Sequence, residues 1–166
     1  WSLEKAGHSA GRVALKHRLG REFEAARFMI ESNADTPPEV KWLSAMKKET
    51  RVRPDDLLEM GYEVTDDVGL GLVQLEVQPE RGESALLPVD APPRIGKTEP
   101  PVWRGRIAQA VGELAGKWPQ CRVFKLRVRA EDSRPKEFNG PGVGISEWVV
   151  IRIDDGAESL ARQEVA

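Results

Sequence analysis

The stretch Cys121-Arg-Val-Phe-Lys-Leu-Arg-Val-Arg129 has the pattern of an extended strand. Side chains of a strand alternate between its two faces. Phe124, Leu126 and Val128 therefore fall on one side, and Lys125, Arg127 and Arg129 on the other. One face suits a core, while the other offers three cations in a row. A second strand-like run, Glu147-Trp-Val-Val-Ile-Arg-Ile153, follows after a glycine-rich loop. It places Trp148 and Arg152 as neighbours of the basic face.

Upstream, the periodicity reads as helical. Leu15, Leu19, Phe23, Ala26 and Ile30 recur at spacings of four, four, three and four, which predicts an amphipathic helix over residues 9–33. The Asn33-Ala-Asp-Thr-Pro-Pro38 segment stops it. A shorter helix is expected from Glu39 to about Lys48, and a brief one over Pro54–Gly61, with Asp55 or Asp56 as cap and Gly61 at its end. From Val68 the pattern turns strand-like: Leu70, Leu72, Gln74 and Glu76 alternate with Gly71, Val73, Leu75 and Val77. Ser84 to Val89 reads as a partner strand. Residues 88–101 hold five prolines in fourteen positions, which predicts a linker or an arm laid on a surface. Trp103, Ile107, Val111, Leu114 and Trp118 then predict a helix closed by Gly116 and Pro119.

The expected class is therefore α+β. A helical N-terminal part of about three helices precedes a small, mainly antiparallel sheet with one amphipathic helix packed on it. The expected organisation is a helical region over 1–64 and an α+β region over 65–166, carrying the proline-rich arm, or a single domain comprising both.

With 166 residues, the chain is long enough to bury roughly two thirds of its unfolded surface without disulfide or metal support. Its single cysteine, Cys121, excludes an internal disulfide and a cysteine-based zinc site. His8 and His17 are the only histidines, so no transition-metal site and no cofactor are expected, although carboxylates could still hold magnesium. No run approaches the roughly 18 apolar residues of a membrane span, so no membrane insertion is expected. The first residue is Trp1 rather than methionine; an intracellular protein is expected, with an organelle matrix admitted if a presequence has been cleaved.

A net charge of −2 conceals blocks of opposite sign. Residues 1–53 carry eleven Lys/Arg against seven Asp/Glu, residues 54–98 three against ten, and residues 99–153 ten against six. This distribution argues against a uniformly basic nucleic-acid protein but permits a local basic patch.

Four constellations are candidate sites. Lys125, Arg127 and Arg129 with Trp148 and Arg152 carry the ingredients of a nucleic-acid platform, on which charge follows phosphates and rings stack on bases. The alternative is a solvated face whose cations pair with the acidic middle segment. The Asn139-Gly-Pro-Gly-Val-Gly-Ile145 loop lacks the helix start and Gly-Lys-Ser/Thr ending of a phosphate cradle, and reads as a connection between strands. Asp66 or Asp67 with Glu76-Val-Gln78 loosely follows the carboxylate spacing of metal-dependent nucleases, with glutamine where a lysine is expected. Trp1 and Trp42, together with Pro92, Pro93 and Pro100 of the arm, supply rigid, large contact area for docking.

These features favour a non-enzymatic adaptor subunit that docks into a larger protein or ribonucleoprotein assembly. A nucleic-acid-binding domain using the 121–129 strand face is the second reading, and a nuclease built on Asp67 and Glu76 the third.

Overall fold

The computed structural model describes the backbone of residues 7–16, 22–32 and 162–163 and the full residues 35–43, 49–90, 92–97 and 99–161. Its strands are β1 (Gly7–Lys16), β2 (Glu22–Ser32), β3 (Glu39–Trp42), β4 (Glu49–Val52), β5 (Leu57–Thr65), β6 (Leu70–Pro79), β7 (Ala85–Pro88), β8 (Arg94–Ile95), β9 (Val102–Ala110), β10 (Val123–Asp132), β11 (Val143–Ile145) and β12 (Val149–Ile153). Helices α1 (Val111–Lys117) and α2 (Leu160–Gln163) are short. The protein is mostly β, not α+β with a helical N-terminal part. Trp1 lies outside the described residues.

The chain divides into two compact units, Trp1–Asp35 and Thr36–Ala166. In the first, β1 and β2 pair antiparallel, with a register shift between Val13 and Ala14. The helix expected over 9–33 is therefore replaced by two strands. The other helices are corrected in the same way: β3 occupies the start of the 39–48 segment, and β5 runs straight through Gly61. The boundary expected at residue 64/65 falls at the end of β5.

In the second unit, a six-stranded sheet runs β4-β12-β10-β6-β7, with β11 also paired to β10. A four-stranded sheet runs β3-β5-β9-β8. Both contribute to one core, so the unit is a two-layer β-sandwich. Alternation explains which residues go inside. Val73, Leu75 and Val77 of β6 face inward, as do Phe124, Leu126, Val128 and Ala130 of β10 and Val149, Ile151 and Ile153 of β12. Leu58, Met60, Tyr62 and Val64 answer them from β5. Each large side chain buried here stabilises the sandwich by about 1.5–3 kcal/mol.

The segment 103–118 is half strand and half helix. β9 pairs along β5 from Val102 to Ala110, and only the last part of the expected helix, α1, forms. Val111 and Leu114 are the residues α1 buries. Trp118, just past its end, meets Phe124 in a tilted ring contact with centroids 5.9 Å apart. The proline-rich segment folds back as β8, which pairs Arg94 with Trp103 and Ile95 with Val102. No helix among the described residues is long and apolar enough to cross a membrane.

Tyr62 is the largest fully buried side chain among the described residues, and its ring lies over Gly105 on the paired strand β9. A Cβ at position 105 would sit 2.5 Å from the Tyr62 hydroxyl and 2.6 Å from Cζ. The Gly105→Ala variant is expected to lose about 1–3 kcal/mol in urea denaturation, because a buried ring has no room to yield.

The Tyr62 hydroxyl donates to the Asp90 carbonyl at 3.3 Å. Burial, and secondly the Asp90 charge, push its pKa from 10.0 up to about 12. A raised pKa means the native state holds the proton more tightly than the unfolded chain. The associated stability is complete below pH 10 and lost as pH rises through 12. Tyr62 is the sole tyrosine, so tyrosinate absorbance of the native protein reports it alone and should titrate near 12. The Tyr62→Phe variant should lack this alkaline loss of stability.

Candidate binding face on the six-stranded sheet

The parity that buries Phe124, Leu126 and Val128 turns Lys125, Arg127 and Arg129 outward. Antiparallel register then fixes what stands beside each cation. Arg127 is paired across the ladder with Glu76, and Glu76 with Leu86 of β7. Arg129 lies between Gln74 of β6 and Ile145 of β11. Glu131 lies between Leu72 of β6 and Val143 of β11. The outward face is thus a set of cross-strand rows with polar centres and apolar ends.

The polar centres are internally neutralised. Arg127 Nε donates to Glu76 Oε2 at 2.7 Å, and both side chains are largely covered. The Arg127 guanidinium also lies 4.2 Å from the centroid of the Trp148 ring, a cation–π contact that fixes the indole on this face. Arg129 bonds Glu131 on its own strand and reaches Gln74. Arg152 Nε donates to Glu49 of β4 at 3.1 Å. Lys125 is exposed and has no ion-pair partner among the described residues. The five expected residues thus lie on one sheet face, with each arginine already engaged. Glu76 comes from the acidic middle segment, so the pairing of Arg127 follows the alternative reading.

The apolar ends were not anticipated. Leu72 is 42% exposed, Leu86 46%, Val143 40% and Ile145 50%. Leu72 shares the strand parity of Gln74 and Glu76, a signal available in the sequence. Val143 and Ile145 gave none, because β11 is a three-residue strand at the end of a glycine-rich loop.

The docking residues are distributed elsewhere. Trp42 is half-buried against the core, and its Nε1 donates to the Glu147 carbonyl at 2.9 Å. Pro92 is buried, whereas Pro93 and Pro100 are exposed. Among the described residues, no group of three or more His, Cys, Asp or Glu is placed to hold a metal ion. Asp66 is buried and accepts from the Val68 and Gly69 amides through Oδ2. Burial, and more weakly the charges of Asp67 and Asp132, raise its pKa. Glu76, by contrast, is occupied by Arg127 on the sheet face.

The four-stranded sheet has its own outward ion cluster. Glu63 is 5% exposed and is held by Lys41 and Arg104, each at 2.6 Å, from the two flanking strands. Hydrogen bonds from those two cations, first Lys41 and then Arg104, lower the Glu63 pKa. The arrangement is a cross-strand clamp rather than an open charge.

Replacing Glu76 by Gln is expected to cost about 1–2 kcal/mol in urea denaturation, because it leaves the largely covered Arg127 without its counter-charge. The Glu76→Gln/Arg127→Met double variant should cost less than the sum of its parts, a coupling that a double-mutant cycle measures directly.

Comparison of the sequence with protein-family models and with curated proteins gives no match.

Proposed function

We propose that this chain is a non-enzymatic β-sandwich adaptor that docks into a larger protein assembly through the outward face of its six-stranded sheet. The observation that carries this reading is the composition of that face: neutralised ion pairs at its centre, with Leu72, Leu86, Val143 and Ile145 exposed around them. Protein interfaces are built from an aromatic or aliphatic centre with charged groups either paired or moved to the rim. Trp148, held by its cation–π contact with Arg127, supplies an aromatic with less entropy to lose on binding.

The second reading, nucleic-acid binding on the same face, draws on Lys125 and on the indole of Trp148. Phosphate binding depends on cations that release counterions. On this face Arg127 and Arg129 would first have to leave Glu76 and Glu131. The protein reading asks for no such exchange.

The two readings separate in a native pull-down of the tagged full chain, with and without nuclease, comparing wild type with the Leu72→Lys/Ile145→Lys variant. Docking predicts partners that survive nuclease, tolerate moderate salt and are lost from the variant while its unfolding midpoint stays near that of the wild type. Partners lost on nuclease treatment, or on changing Lys125, Arg127 and Arg129 to glutamine but not in the lysine variant, would transfer the function to nucleic acid.

A further inference from the structure

The loop between β10 and β11 places asparagine directly before glycine, and its geometry explains both residues. Asn139 ends a short 3-10 turn (Lys136–Phe138) in the left-handed region, at φ 61° and ψ 26°, a conformation asparagine tolerates better than most residues. Gly140 follows where a Cβ would collide with the Arg134 carbonyl. The loop is closed by three sets of hydrogen bonds. The Asn139 and Gly140 amides donate to the Lys136 and Pro135 carbonyls, each at 3.1 Å. Asp132, 3% exposed, accepts from the Arg134 and Gly142 amides at 2.9 and 3.0 Å. The Asp132 amide in turn donates to the Gly142 carbonyl at 3.1 Å.

We propose that Asn139 is a self-deamidation site whose chemistry is gated by this loop. The reaction needs water and no other co-reactant. The Gly140 amide nitrogen attacks Asn139 Cγ, a C–N bond forms, the Cγ–Nδ2 bond breaks, and ammonia leaves with the proton of the attacking amide. Water then opens the resulting five-membered imide at either carbonyl, giving aspartate or isoaspartate. Glycine at 140 removes the side chain that would hinder ring closure, so the close approach to Arg134 places the most permissive neighbour beside Asn139.

The folded loop blocks the first step in two ways. Ring closure requires the Gly140 nitrogen to eclipse Asn139 Cβ. At ψ 26° that nitrogen lies instead near the eclipse of Asn139's own backbone nitrogen. Its N–H is also held by the Pro135 carbonyl, and that bond must break before the nitrogen can rotate or lose its proton. Deamidation therefore proceeds through the opened loop. The isoaspartyl product inserts a backbone methylene between residues 139 and 140 and adds a negative charge two residues from Glu137, so the Gly140 amide cannot return to the Pro135 carbonyl as before.

The full chain, folded in mildly alkaline buffer and separately unfolded in guanidinium chloride, provides the test. Peptide mass spectrometry with an isoaspartyl-specific methyltransferase assay reads both Asn139 and the internal reference Asn33, which precedes alanine. Unfolded, isoaspartate should accumulate at residue 139 well before residue 33. Folded, the rate at 139 should fall at least about tenfold, equivalent to an opening free energy of about 1.4 kcal/mol. Equal rates in the two conditions would overturn the gate. Absence of isoaspartate at 139 from the unfolded chain would overturn the site itself.

Discussion

The antiparallel ladder between β6 and β10 organises the larger sheet and, through it, both faces of the sandwich. It runs from Phe124 against Pro79 to Asp132 against Leu70, with one irregularity before its end. A one-residue slip would exchange Phe124, Leu126 and Val128 for their cationic neighbours in the core. Burial thus fixes the register, and the register brings Glu76 beside Arg127 and Gln74 beside Arg129. The polar pairs of the outer face are consequences of hydrophobic packing on the inner one. β12 extends this ladder on one side and β7 on the other, each matching the same inward parity.

The strands of this ladder were legible because their alternation is strict and uninterrupted. The helices expected elsewhere failed for a common reason. A spacing of four residues is one turn of helix and also two repeats of a strand, so it supports both. Trp103, Ile107 and Val111 are related by fours, and β9 covers the first two. The step of three, from Val111 to Leu114, has no strand counterpart, and α1 lies there. Over residues 57–64 the strand pattern was present in Leu58, Met60, Tyr62 and Val64. Asp56 as a cap and Gly61 as a stop suit a helix over the same residues. In the fold Asp56 instead closes the 53–56 turn by accepting from the Arg53 amide, and Gly61 is an interior residue of β5.

The candidate face was legible to a similar degree. Its cations follow from one strand, whereas their partners come from residues about fifty positions away that only the topology brings together. The apolar ends depend on β11, whose pairing with β10 is secured from beneath. Gly144 packs so closely on Pro38 that a Cβ there would overlap the Pro38 carbonyl. Ser146 then takes the Val128 amide with its hydroxyl at 2.9 Å and passes a hydrogen bond to the Glu147 carbonyl. A glycine and a serine in an irregular stretch thus determine where Ile145 and Trp148 emerge.

The pairing of β4 with β12 is parallel, unlike the other ladders of the sandwich, and joins Glu49–Val52 to Val150–Ile153. These segments lie near the two ends of the second unit. Tension applied directly to the start of β4 and the end of β12 would pull the two strands past each other along their length. Because they are parallel, their hydrogen bonds would bear the load together instead of opening one after another, as they would in a hairpin pulled from its open end. Asp154, immediately after β12, adds an amide bond to the Val52 carbonyl and a carboxylate beside Arg51. The β4–β12 edge of the sandwich is therefore clasped in shear, and Asp154 extends the clasp by one residue.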